Sequence, residues 1–370
     1  MQPKQGTATP YSVKITPEYK LDHLKSQWLS IEQSMDVPFF MTWTWISNWI
    51  KTYSPKIVLT YAYYENKLVG IGLFTLSKEV RQGFIKAHQY RLHQMGDPKY
   101  DQIWMEYNDF LCHKEHLKEV TKVCINALMD YDDLWDEIII SMIKLSRGKE
   151  VIKNNKLASI ILFNPRYSVD LNKIPRNQDY LATLKSNTRY QIRHSIRLYE
   201  GIHGPIHMKK AKTVKEGLEL FQRAGEFHLK RWSDSGYKNE KFINFHQNLI
   251  QQSFHEDNIG LYEISSGKTT IAILYFHIVN KTVYFYLQGI NYEPNQKLKP
   301  GLVAHTIMTQ HFHEQGMHIY DYMGGYSQYK CQLASQNEDL VTVRIQKPRL
   351  QFSIEKLGQK IKKITKKSNS

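Results

Sequence analysis

Laid on Ile259 to Ile278 without a gap, the stretch Ile57 to Leu76 places like on like: Ile57 on Ile259, Leu59 on Leu261, Val69 on Ile271, Gly70 on Ala272, Ile71 on Ile273 and Phe74 on Phe276. Both stretches read as strand, turn, strand. The order continues downstream, where Gln94-Met95-Gly96 parallels Leu287-Gln288-Gly289, and Trp135-Asp136 ahead of Ile138 to Ile140 parallels Tyr320-Asp321 after a helical segment. A chance match of apolar residues would not keep that order, so the chain is read as a duplicated α/β unit. Its 370 residues agree, since domains run to about 150 residues each.

Patterning sets the expected boundaries: a disordered N-terminus at 1–10, a first domain at 11–171, a linker at 172–179 containing Pro175, a second domain at 180–349 and a basic amphipathic tail at 350–370. Thr42 is the expected N-cap of a helix whose Trp45 and Trp49, one turn apart, belong in a core. Helices are expected at 114–129, 180–199 and 214–232. In the second half, Ile259 to Ile264, Ile271 to Asn280 and Val283 to Ile290 form a meander, followed by the polar loop 291–299 and a helix over 302–315.

Pro300-Gly301 opens that last helix. Proline suits a first turn, where its missing N–H costs nothing, and glycine lets a ligand approach the backbone. Exposed N–H groups and the helix dipole favour a phosphate, and Lys297 and Lys299 lie close by. By spacing alone, a plain helix start remains the simpler meaning of one Pro-Gly pair. Lys185, Arg189, Arg193 and Arg197 recur every fourth residue without acidic partners, giving a basic stripe that is either a solvated face or an anion site.

Fifty basic against 35 acidic side chains give a net charge of +15, which calls for an anionic partner. Part of the excess follows Glu355, where lysines flank Ile354, Leu357, Ile361 and Ile364; this reads either as a solvated tail or as a peripheral contact with an anionic membrane face. No apolar run has membrane-spanning length, the first ten residues lack a signal-peptide centre, and Cys112, Cys124 and Cys331 lack paired spacing, so a cytoplasmic protein with reduced thiols is expected. The histidines His305, His311, His313 and His318 do not share a face with other ligands, and no metal is expected. Neither a nucleophile elbow nor a G-x-x-x-x-G-K-[ST] loop is present in the sequence.

Residues 221–330 resemble the CelD-like, FemAB-related branch of the GNAT N-acetyltransferase superfamily. The resemblance is carried by Arg231-Trp232 and Gly236, by Lys299-Pro300-Gly301, and by Asp321-x-x-x-Gly325-x-x-x-Tyr329-Lys330. Weaker parallels run through Pro38-Phe39-Phe40 with Trp45 and Trp49, through Glu106-Tyr107-Asn108-Asp109 and through 186–197. The resemblance implies two tandem GNAT-like domains, each a mixed, mainly antiparallel sheet flanked by helices, using an acyl-coenzyme A such as acetyl-coenzyme A and no metal. On that reading Gln288, Gly289, Lys297, Lys299, Pro300, Gly301, Leu302 and Val303 hold the carrier. Tyr107, Asp109, Arg189, Arg193, Arg231 and Trp232 face the acceptor. Asp321 is the base candidate or a structural carboxylate, Tyr329 supplies a proton, and Lys330 stabilises the oxyanion or holds a phosphate. Ser327 stands where the family pattern commonly has an acidic residue, which puts the acid/base assignment in question.

Three functions follow from this reading. The leading one is acyl-coenzyme A-dependent N-acylation of an amine, such as an amino sugar or a cell-envelope polysaccharide precursor. The second is a Fem-type transfer from aminoacyl-tRNA, in which the basic stripe contacts RNA. The third is a binding module that keeps the fold without catalysis.

Overall fold

The computed structural model describes residues 10–355; residues 1–9, from the expected disordered N-terminus, and 356–370, most of the expected basic tail, lie outside the described residues. Two successions of elements follow one another. The first is β1 (Tyr11–Thr16), α1 (Leu21–Glu32), α2 (Trp43–Tyr53), β2 (Ile57–Tyr64), β3 (Lys67–Arg81), β4 (Ile85–Leu92), β5 (Leu111–Cys112), α3 (Leu117–Tyr131), β6 (Glu137–Lys144), α4 (Leu145–Asn154) and β7 (Ala158–Asp170). The second is α5 (Tyr180–Thr183), α6 (Ser186–His203), β8 (Ile206–Lys210), α7 (Val214–Arg231), α8 (Glu240–Ser253), β9 (Ile259–Ser266), β10 (Thr269–Val279), β11 (Thr282–Ile290), α9 (Pro300–Glu314), β12 (Ile319–Gly324), α10 (Gln328–Leu333) and β13 (Gln336–Gln346).

The gapless sequence match is reproduced residue for residue in the strand register. Ile57 pairs with Thr75 and Leu59 with Leu73 across β2 and β3; their counterparts Ile259 with His277 and Leu261 with Tyr275 pair across β9 and β10. Even the irregularity is shared, since the register shifts after Ala62–Gly70 in one hairpin and after Ile264–Ala272 in the other. Each hairpin continues to a third antiparallel strand, β4 or β11, which then pairs in parallel with β6 or β12.

Contacts divide the chain into two compact units, the described parts of Met1–Met35, Pro55–Phe163 and Val341–Ser370, and Asp36–Ser54 with Asn164–Leu340. In the first, the strand order is β1-β2-β3-β4-β6 with β13 beside β6; in the second, β7 lies beside β12 and the order continues β11-β10-β9-β8. This differs from the sequence-based boundaries. The last strand of each succession is exchanged, and residues 36–54, with α2, join the second unit, where Asn48 donates from Nδ2 to the Phe245 carbonyl of α8 at 2.8 Å. Residues 172–179, read as a linker, also belong to that unit, and Ile174 is buried in its core.

An apolar cluster is buried in each unit, and in the second unit Phe40, Trp45, Phe245, Tyr275 and Tyr286 form a further buried aromatic group. Ile271 to His277 of β10 are buried without interruption, as for a strand covered on both faces. Thr42 caps α2 by accepting from the Trp45 N–H, and Trp45 and Trp49 are buried. The helix expected over 180–199 is instead broken. Leu184 and Lys185 are extended, so Lys185 precedes α6, and Arg189 turns back to donate to the Ala182 and Leu184 carbonyls. No helix among the described residues is long and apolar enough to cross a membrane. Cys112 and Cys124 are buried free thiols and Cys331 is an exposed one.

Candidate active site

Strands β11 and β12 pair only over Thr282–Tyr284 and Ile319–Asp321. Beyond that point they part, and Phe285 to Ile290 keep β10 on one edge with no strand among the described residues on the other. Helix α9 follows. The loop before it is tethered by Asn291 Nδ2 to the Thr270 carbonyl at 3.0 Å, by the His203–Glu293 contact at 3.0 Å and by the Lys299 N–H to Ser195 Oγ at 2.8 Å. Pro300 occupies the first turn and no side chain caps the helix, so its opening N–H groups are left for another acceptor. A Cβ added at Gly301 would meet nothing within 4 Å, so the backbone is open to close approach. Lys297 and Lys299 flank this opening and neither has an ion-pair partner among the described residues. The side chains of Leu302 and Val303 belong to the core. Gly289 has a packing reason: a Cβ there would sit 2.5 Å from the Ala224 backbone of α7.

The end of β12 gathers the three residues expected to be catalytic. Asp321 is 1% exposed; its Oδ2 accepts from Arg166 Nη2 at 2.7 Å and Nε at 3.0 Å, and its Oδ1 accepts from the Met323 N–H at 2.8 Å. Lys330 is buried and its ammonium donates to the Gly324 carbonyl at 2.6 Å, across a loop in which Gly325 takes φ +93°. The Tyr329 ring stacks on His305 at 5.0 Å, and burial, then the neighbouring Tyr322, raises its phenol above the ordinary range.

His305, set aside in the sequence as a surface or core histidine rather than a metal ligand, is a core residue whose part in the site was not read. It is fully buried on α9, within hydrogen-bond reach of Tyr320 Oη at 2.8 Å and Gln288 Oε1 at 3.2 Å. Burial, and next the Lys330 charge, push it down to about 3, so the ring is neutral and ties α9 to both parting strands. Arg166 was also missed. It lies on β7, far along the chain from Asp321, and no local pattern marks it.

The acceptor candidates are divided between the two units. Arg193 and Arg197 are exposed on α6 without ion pairs among the described residues, whereas Arg189 is engaged by backbone carbonyls. At the end of α7, Arg231 lies over Trp232 at 5.7 Å and over Tyr292 at 5.6 Å, and both rings are exposed. Tyr107 and Asp109 are in the first unit, where Asp109 is paired with Arg147 at 2.9 Å. Among the described residues no group of three or more His, Cys, Asp or Glu could hold a metal.

Residues 186–331 match the model of the acetyltransferase (GNAT) domain. No curated protein matches the sequence. Among solved structures, FemX has a TM-score of 0.57 at 9% identity, covering 93% of this chain and 99% of that one. The C-terminal domain of a putative lysylphosphatidylglycerol synthetase from Agrobacterium fabrum has a TM-score of 0.54 at 9% identity, covering 91% and 95%. L-PGS from Bacillus licheniformis has a TM-score of 0.54 at 11% identity, covering 89% and 94%. At such identities the likeness concerns the fold: a mixed, mostly antiparallel sheet flanked by helices, as in GNAT proteins.

Proposed function

We propose that the chain transfers an acyl group, acetyl in the simplest case, from acyl-coenzyme A to an amine. The observation that carries this reading is the parting of β11 from β12 beside an uncapped helix start with an open glycine and two unpaired lysines. The coenzyme's phosphates would meet the α9 N–H groups, Lys297 and Lys299. Its thioester would lie along the unpaired edge of β11, whose backbone N–H groups are suited to the oxyanion. The amine, as its free base, attacks the thioester carbon; the nitrogen sheds one proton to solvent, the C–S bond breaks and the leaving thiolate takes a proton. Tyr329 is the proposed donor, since burial keeps its phenol protonated and the stack on His305 fixes its ring. Asp321 and Lys330 shape the strand end, each already held by partners. An amino sugar of an envelope precursor suits the exposed Trp232 and Tyr292 rings beside Arg231, which offer stacking faces and a cation.

The test is thiol release from acetyl-coenzyme A over a panel of amines, with coenzyme binding followed by calorimetry. Transfer to at least one hydroxylated amine is expected. Failure to bind either coenzyme A or acetyl-coenzyme A would overturn the reading; binding without turnover on any amine would favour the non-catalytic module.

The FemX-like fold and the exposed, unpaired Arg193 and Arg197 favour a second reading, Fem-type transfer from charged tRNA. Retention of tRNA on a filter, steeply weakened by salt, would support it, and no retention at low salt would exclude it.

A further inference from the structure

In the first unit, β3 and β4 run on past the core as a two-stranded ribbon, paired from Phe74–Leu92 out to Arg81–Ile85. Gln82 and Gly83 both take positive φ, +52° and +79°, which closes a tight hairpin and presents Phe84 at its tip. The two faces of the ribbon differ. On one, Glu79, Arg81, Ile85 and Ala87 are covered by the helical residues 350–355: Phe352 packs on Ile85 and Ala87, and Gln351 Nε2 donates to the Lys86 carbonyl at 2.9 Å. Arg81 bonds Glu79, Glu137 and Glu355 on this face, so the nearby carboxylates are gathered to one cation; Glu137 and Glu355 are buried, and the Glu79 side chain is partly exposed.

The remaining surface is apolar and basic. Val80 is 56% exposed and Phe84 66%, and both are interleaved with the exposed Lys78 and Lys86. On the covering helix, Leu350 and Ile354, four apart and therefore on one side, are 79% and 52% exposed. Aliphatic and aromatic side chains left this open on a rigid hairpin do not stabilise the fold. The Arg81–Glu355 ion pair, 2.8 Å, anchors the chain at the point from which Lys356, Lys360, Lys362, Lys363, Lys366 and Lys367 follow in sequence with no acidic residue among them.

We propose that this end of the ribbon is a peripheral docking surface for an anionic phospholipid membrane, with Phe84 and Val80 entering the headgroup boundary and Lys78 and Lys86 facing lipid phosphates. Both halves of the match are needed. A nucleic acid or acidic protein would use the cations but leave the apolar tip unexplained, whereas an anionic bilayer takes both. The proposal does not depend on the acyl-transfer reading.

The test is co-sedimentation of the full chain with vesicles of phosphatidylcholine alone and of phosphatidylcholine doped with phosphatidylglycerol. The wild type should sediment with the anionic vesicles and not the neutral ones. The double variant Val80→Ser, Phe84→Ser should lose about tenfold in partitioning at unchanged melting temperature, since both side chains are already in water. Absence of sedimentation with anionic vesicles would overturn the proposal. So would undiminished sedimentation of the folded double variant, which would mark the lysines as a general polyanion contact, as would equal retention of both proteins on RNA.

Discussion

Asp136, just ahead of β6, and Asp321, inside β12, are each met by an arginine contributed from the exchanged end of the other succession. Arg349 Nε donates to Asp136 at 2.7 Å, and Arg166 Nη2 donates to Asp321 at 2.7 Å. Both oxygens of the buried Asp321 carboxylate are already held, one by Arg166 and the other by the Met323 N–H, and this argues for a structural Asp321. Breaking a buried pair leaves an uncompensated charge, at a cost of about 3–5 kcal/mol. Asp321→Asn is therefore expected to lower the unfolding midpoint strongly, while the folded fraction still binds coenzyme A. Wild-type stability with turnover reduced about a hundredfold would return Asp321 to the role of base. The carboxylate was legible in the sequence because it ends a patterned strand. Its arginine was not, because the pairing depends on which strand lies beside β12.

At the scale of elements, the basic stripe separates into parts with different work. Arg189 closes the α5–α6 break by donating to two carbonyls, and Arg193 and Arg197 face solvent. Arg189→Ala should cost about 1 kcal/mol in a denaturant melt, whereas Arg193→Ala should cost nothing measurable. Equal effects would mean that the break is held by something else. Helix α9 was readable from Pro300-Gly301 because helix starts are local chemistry, and the meander was readable because its strands alternate or run apolar. The interruption at Leu184 and Lys185 was hidden, since a four-residue period in charge continues through it. The placement of α2 against α8 was hidden too, because Thr42, Trp45 and Trp49 specify a buried helix without specifying which core buries it.

Across the whole molecule, burial holds several histidines neutral. His93 is pushed down to about 4, His246 and His305 to about 3, and His277 well below its usual value, in each case first by desolvation. The unfolded chain takes up protons on these rings near pH 6.5 while the native state refuses them. Stability is thus full above about pH 6.5 and declines as pH falls towards about 4, by up to about 1.4 kcal/mol per pH unit for each ring. Denaturant midpoints should drop between pH 7 and pH 5, and His305→Gln should flatten that slope; a midpoint independent of pH would contradict it. Duplication also has a consequence for ligand number. In the first succession α3 opens after His116 with no proline and with Glu119 in its first turn, a poor place for a phosphate, whereas α9 opens on Pro300-Gly301 directly after Lys297 and Lys299. The strands were copied but the Pro-Gly helix start proposed to hold the carrier was not. Titration calorimetry with coenzyme A tests this most directly: one coenzyme per chain for the wild type, and none for a folded Gly301→Asp variant, in which bulk and negative charge meet the phosphate. Two sites per chain, no binding by the wild type, or near wild-type affinity in the variant would contradict it.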